Sequence, residues 1–198
     1  MEFLQALARR RSIYNLTDAA VVPDALLEAR IGDVVRLTPS AFHSQSQRVV
    51  LLLNANHAQL WDIVRTALAK IVPAQDFPKT AAKIAGFVAG HGTILFFDDQ
   101  TVTQGLMAKY PLYKDSFAVW YQQQAGMLQS NIWVALADIG YGASLQHYSE
   151  LIEAEVRKVF AIPDGWQLLA QMPFGKIAKS AKTNTYLPLD QRFLVITK

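Results

Sequence analysis

Between Lys114 and Ile139 the residues Phe117, Trp120, Tyr121, Gln124, Leu128, Ile132, Ala135, Leu136 and Ile139 recur at three- and four-residue spacing. That period predicts one unbroken α-helix. At about 1.5 Å per residue it would span about 39 Å, more than the width of a small domain, so it must run through a core or along an interface. The whole chain has 198 residues, enough for a single domain over 1–198 and too few for two separate cores. Hydrophobic residues make up 52% and charged residues 18%, a balance that folds rather than remaining disordered.

Elements of both kinds flank the long helix. Glu2–Arg11 has helical character, and Pro23 followed by Asp24 opens a second helix reaching Thr38. Arg48–Asn54 reads as a strand buried on both faces, and Ala58–Val72 follows as a helix. Thr80–Val88 is a further helix, and the glycines at 90 and 92 separate it from the apolar strand Thr93–Phe97. After Gly140, Ala143–Gln146 turns into a short strand or loop, a serine-capped helix opens at Ser149, and Trp166–Met172 is a strand. Gly175–Pro188 is polar and aperiodic, and Arg192–Thr197 is strand-like again. The long helical interval between Phe97 and Ala143 argues against a regular doubly wound sheet. The expected class is α+β, a mixed central β-sheet flanked by helices.

Charge and motifs narrow the function. Lys and Arg number 19 against 16 Asp and Glu, too small an excess to point to nucleic acid. No apolar run nears the roughly 20 residues of a membrane span, and the N-terminus has no secretory h-region, so the expected location is cytoplasmic. There is no cysteine, hence no thiol nucleophile or thiolate metal site, and the four histidines lack metal-ligand spacing. No G-x-S-x-G, H-E-x-x-H, Walker or G-x-G-x-x-G signature is present. A self-sufficient hydrolase finds no support, which leaves an imported cofactor or a binding role. Positive charge clusters at Arg9–Arg11 and at Lys176, Lys179 and Lys182, the places to seek a bound anion. On the residues alone, the arginines also suit a helix C-terminus and the lysines a solvated tail.

Two stretches carry a family resemblance: Arg10-Arg11-Ser12-Ile13-Tyr14, and Thr38 to Arg48, reading TPSAFHSQSQR. Further matches follow in order at Gly92–Asp99, around Trp133, at Gly142–Tyr148 and at Met172–Lys176. Together these resemble the nitroreductase family of flavoproteins, and most closely its compact branch of yeast fatty-acid-regulation homologues and bacterial copper-induced enzymes. The resemblance covers nearly the whole chain and implies a dimeric, FMN-dependent, nitroreductase-like three-layer fold.

It also implies roles. Arg10, Arg11 and Ser12 would take the FMN phosphate, whose oxygens match the guanidinium fork, with Lys182 as a further cation and Gly175 in the motif before it. Ser40, His43 and Gln45 fall where the family loop meets the ribityl hydroxyls and the polar edge of the ring, His43 replacing the usual asparagine. Tyr14 stands where many larger relatives have Lys or Arg near flavin N1 and O2, and Lys83 is the candidate substitute cation. Leu145, Gln146 and His147 form the segment whose backbone N–H groups the family places near N5. Phe42, Tyr113 and Phe117 are candidate walls of a substrate pocket. No side chain is assigned as catalytic, because flavin N5 carries the hydride, and no metal is expected.

The implied activity is an FMN-dependent NAD(P)H oxidoreductase, using NADH or NADPH to reduce a nitroaromatic or quinone by a ping-pong mechanism as a homodimer, without nucleic-acid or membrane partners. The alternative is a flavin-binding regulatory or stress-response protein with incidental reductase activity.

Overall fold

The computed structural model describes residues 2–197. The elements run α1 (Phe3–Arg9), β1 (Asn15–Thr17), α2 (Asp24–Leu37), β2 (Gln47–Leu53), α3 (Asn54–Ala69), α4 (Phe77–Val88), β3 (Gly92–Asp99), α5 (Gln100–Lys109), α6 (Lys114–Asp138), β4 (Tyr141–Ala143), α7 (Ser149–Val159) and β5 (Trp166–Lys179). The sheet is ordered β1-β5-β3-β2, with β4 also pairing with β5. Every ladder among the described residues is antiparallel, and the parallel component is a single bridge between Ser12 and Ala143.

Strand β3 organises the layers. Its side chains alternate: Leu95 and Phe97 enter one core with Trp61, Val64, Phe87, Ile152 and Val156, while Ile94 and Phe96 enter a second with Leu27, Leu128, Ile132 and Phe174. Helices α3, α4 and α7 therefore cover one face and α2 and α6 the other, an α+β, three-layer arrangement. The long helix is present over 25 residues, buried along its length from Phe117 to Ala137. No helix among the described residues is long and apolar enough to cross a membrane.

Three sequence expectations change. The first helix stops at Arg9, because Arg10 turns extended to let the chain join β4 through Ile13 N–H and Ala143 O, 2.9 Å apart. The last long strand continues past Met172 to Lys179. It passes Gly175, where a Cβ would come within 2.5 Å of Thr17 O, so only glycine permits that approach of backbones. The strand-like run Arg192–Thr197 is not a strand: it pairs with no sheet edge among the described residues, and Phe193, Leu194, Val195 and Ile196 are 62–85% exposed.

His57, on α3, is buried. Its Nδ1 lies 2.8 Å from Thr93 Oγ1 and its Nε2 3.2 Å from Val88 O, while Trp61 Nε1 donates to the same Thr93 oxygen at 2.9 Å. The neutral Nε2–H tautomer satisfies the whole chain: it donates to Val88 O and accepts the Thr93 hydroxyl proton. Burial is the main cause holding the imidazole pKa below its ordinary value of 6.5. Below that value the unfolded chain takes up a proton that the folded chain refuses, so acid favours unfolding. His57→Gln should therefore flatten the loss of stability between about pH 7 and pH 5, read as urea midpoints across that range. A wild-type slope retained in the variant would refute this origin.

Candidate functional site

The cationic candidates lie at one corner of the sheet. Residues 11–15 and 179–184 enclose a cavity of about 400 Å³. Arg11, Lys179 and Lys182 line it, together with the hydroxyl-bearing residues Ser12, Tyr14, Ser180 and Thr183, and among the described residues no Asp or Glu does. Arg11 Nη2 donates to Lys182 O at 2.5 Å and to Asn184 Oδ1 at 2.6 Å. Arg10 does not line this cavity; its guanidinium lies 4.7 Å from the ring centroid of Trp133 on α6. Arg10 has no hydrogen-bond or ion-pair partner among the described residues, and the Trp133 indole N–H is likewise buried and unpartnered. Cations and hydroxyls gathered without counter-charge suit a dianion such as a phosphate ester, and the residues present fit the phosphate end of FMN.

Ser40, His43 and Gln45 sit elsewhere, on the loop between α2 and β2. This loop is strained: Phe42, His43 and Gln45 have φ of 54°, 52° and 49°. Such non-glycine residues cost about 1 kcal/mol or more each and persist only where the surroundings impose them. A buried polar relay imposes them here. Gln124, 2% exposed on α6, accepts from Ala41 N–H at 2.9 Å and donates to Ser46 Oγ at 2.7 Å. Ser46 donates to Asp98 Oδ1 at 2.5 Å, and Gln100 and Thr103 donate to Asp98 Oδ2. Gln47 Nε2 adds bonds to Pro39 O and Gln124 O. Burial pushes the Asp98 carboxyl above its ordinary pKa, opposed by the Ser46 and Thr103 hydroxyls. Within the loop Ser40 Oγ accepts from Gln45 N–H at 2.9 Å, and Arg48, paired with Asp99 at 2.9 Å, donates to Gln45 O. The Ser44 hydroxyl is buried without a hydrogen-bond partner among the described residues.

The loop borders a cavity of about 590 Å³ between α2 and β2, lined by His43 and Gln45 but by none of the residues of the cationic corner. One chain thus holds two groups of candidates in separate places. Phe42, half exposed, heads an aromatic cluster with ring centroids 5.1–5.9 Å from Tyr110, Tyr113, Phe117 and Trp120. Phe117 is 3% exposed beneath it, and Tyr113 is at the surface. A cavity of about 410 Å³ runs beside Ser40, Phe42, Trp120 and Met127.

Lys83 projects from α4 with Nζ 5.7 Å from the ring centroids of Phe87 and Tyr148, at the start of α7. In the segment after β4, Gln146 exchanges both backbone bonds with Gln171, and Tyr148 N–H donates to Gln171 Oε1. The intervening N–H groups of Leu145 and His147 have no acceptor among the described residues. Alternation explains this: a strand-like segment paired on one side directs every second N–H to the other. The Gln124 relay is the feature beside the candidate site that residue-by-residue reading missed. A glutamine inside the apolar period of a helix was the available signal for it.

The nitroreductase family model matches residues 7–176. The Saccharomyces cerevisiae protein HBN1 is 34% identical over 95% of this chain and 94% of its own, and the nitroreductase FRM2 from the same yeast is 28% identical over 97% and 93%. The nitroreductase CinD from Lactococcus lactis, solved in complex with nicotinic acid, superposes with a TM-score of 0.92 at 38% identity, covering 99% of this chain and all of CinD. Its complex with 4-nitrophenol superposes at 0.90. Matched from its first helix through the end of its last ladder with β3, the chain belongs to the nitroreductase family.

Proposed function

We propose that this protein is an FMN-dependent NAD(P)H oxidoreductase that reduces nitroaromatics or quinones by a ping-pong mechanism as a homodimer. The observation that carries the reading is the carboxylate-free cavity lined by Arg11, Ser12, Lys179 and Lys182, with Arg10 next in sequence. FMN bound there would supply the hydride-accepting and electron-donating chemistry that the side chains lack. Arg10, Arg11 and Ser12 hold its phosphate, and the free N–H groups of Leu145 and His147 orient the edge of its ring. The loop bearing Ser40, His43 and Gln45 supplies polar contacts from the other side. Phe42 and Tyr113 offer flat apolar surface to an aromatic acceptor. CinD binds 4-nitrophenol and nicotinic acid; the first is a nitroaromatic, and the second shares the pyridine ring of nicotinamide, which supports one site used in turn by donor and acceptor.

The separation of the two candidate groups supports a dimer, since a second copy brings a loop from one chain to the cationic corner of the other. Two further features agree. Strand β2 ends the sheet with one edge unpaired among the described residues, beside a cavity floored by Ile31, Val35, Val49 and Leu51. The exposed run 193–196 has the strand-forming composition to pair with such an edge.

Steady-state NADH and NADPH oxidation by the yellow, purified protein, with a quinone and with a nitroaromatic as acceptor, tests the reading. Parallel double-reciprocal lines and a dimer mass in sedimentation are expected. Turnover no faster than that of free FMN would favour the regulatory alternative.

A further inference from the structure

We propose that Asn184 is a positioning residue for the cofactor phosphate, acting through Arg11 to close the wall of the cationic cavity; this rests on the FMN reading above. Among the described residues the cavity is lined by residues 11–15 and residues 179–184. The first is anchored by the bridge between Ser12 and Ala143. The second leaves the sheet after Lys179, and beyond that point its hydrogen bonds to the first wall among the described residues run from Arg11 Nη2 to Lys182 O and Asn184 Oδ1. Those two bonds consume both Nη2 protons and leave three N–H groups of the guanidinium for an anion. They also fix its rotamer, so a phosphate meets an arginine whose ordering cost has been met in advance.

Asn184 is suited to this by being neutral. An amide oxygen holds Arg11 without cancelling its charge, whereas a carboxylate at the same place would neutralise the cradle. The clasp acts only on the phosphate end, so its effect must be specific to ligands that carry a phosphate.

The test compares FMN with riboflavin, which has the same ring and ribityl chain and no phosphate. Flavin release from the holoprotein is followed by recovery of free-flavin fluorescence, and affinity by titration of the stripped protein. Asn184→Ala should release FMN about tenfold faster, the scale of one hydrogen bond to a charged group, and leave riboflavin affinity unchanged. Asn184→Asp should weaken FMN further, with a deficit that shrinks when Arg11 is also replaced by Ala. Unchanged FMN release in Asn184→Ala overturns the proposal, as does tighter FMN binding, which would make Asn184 a competitor of the phosphate. Equal losses for FMN and riboflavin would reduce Asn184 to a structural part. Wild-type protein that binds neither flavin would overturn the cofactor reading itself.

Discussion

Replacing Arg10 and Arg11 together by alanine should cost the protein its FMN, raising the dissociation constant at least about a hundredfold while the fold survives. Each charge-assisted hydrogen bond lost to a phosphate is worth about 1.5–3 kcal/mol, so two remove at least about 3 kcal/mol. Little stability opposes this expectation. Arg10 contributes a cation–π contact to Trp133 of about 1 kcal/mol at most at a partly exposed site, and Arg11 bonds only to the exposed tail. The measurements are flavin occupancy from the visible spectrum and thermal unfolding of the stripped protein. Wild-type occupancy in the double variant would refute the phosphate assignment. The corresponding double lysine variant should recover part of the affinity, because it restores charge without the fork.

A second large effect is expected at Gln124, far along the chain from either arginine. Gln124→Leu leaves Ala41 N–H without its acceptor and removes the donor to Ser46 Oγ in a buried setting, a loss of about 2 kcal/mol or more in stability. The strained backbone at Phe42, His43 and Gln45 then relaxes, since its restraint has gone. The loop no longer presents Ser40, His43 and Gln45 in one arrangement, so FMN affinity should fall by more than about tenfold. Equilibrium unfolding in urea and flavin titration separate the two consequences. A variant that unfolds more easily yet binds FMN as tightly as the wild type would show that the relay serves the fold alone.

Some of this was legible in the residues and some was not, for identifiable reasons. The long helix could be read because its apolar period persists over seven turns, and β3 because a run buried on both faces needs no alternation. The three-residue strands β1 and β4 are too short to carry a period. The extension of β5 through Gly175 to Lys179 hides because its polar side chains face outward, while glycine there answers to a backbone neighbour, Thr17, distant in sequence. The tail from Arg192 to Thr197 has the composition of a strand and pairs with no strand among the described residues; composition reports propensity and is silent about pairing. At the site, Arg10–Ser12 and the 38–48 loop stand out as motifs, but that Arg11 and Ser12 line one cavity and His43 and Gln45 another depends on how the sheet curls. The relay was hidden differently: Ser46, Asp98 and Gln124 are ordinary polar residues, and only their common burial makes them one unit.

The order of strands also bears on how the polypeptide reaches this state. β3 pairs with β2, its partners 39 to 51 residues earlier (Leu53 with Gly92, Gln47 with Asp98), and with β5, its partners 67 to 82 residues later (Asp99 with Trp166, Gly92 with Phe174). During synthesis, β2, α3, α4 and β3 can assemble as a hairpin-like unit with its helices while the second edge of β3 waits for chain not yet made. The central ladder, and with it the core beneath Ile94 and Phe96, closes only when residues up to about 174 have left the ribosome. Pairing of such long range slows folding and leaves an apolar edge open to misassociation. A nascent chain stalled before β5 is therefore the state in which this protein most needs a chaperone.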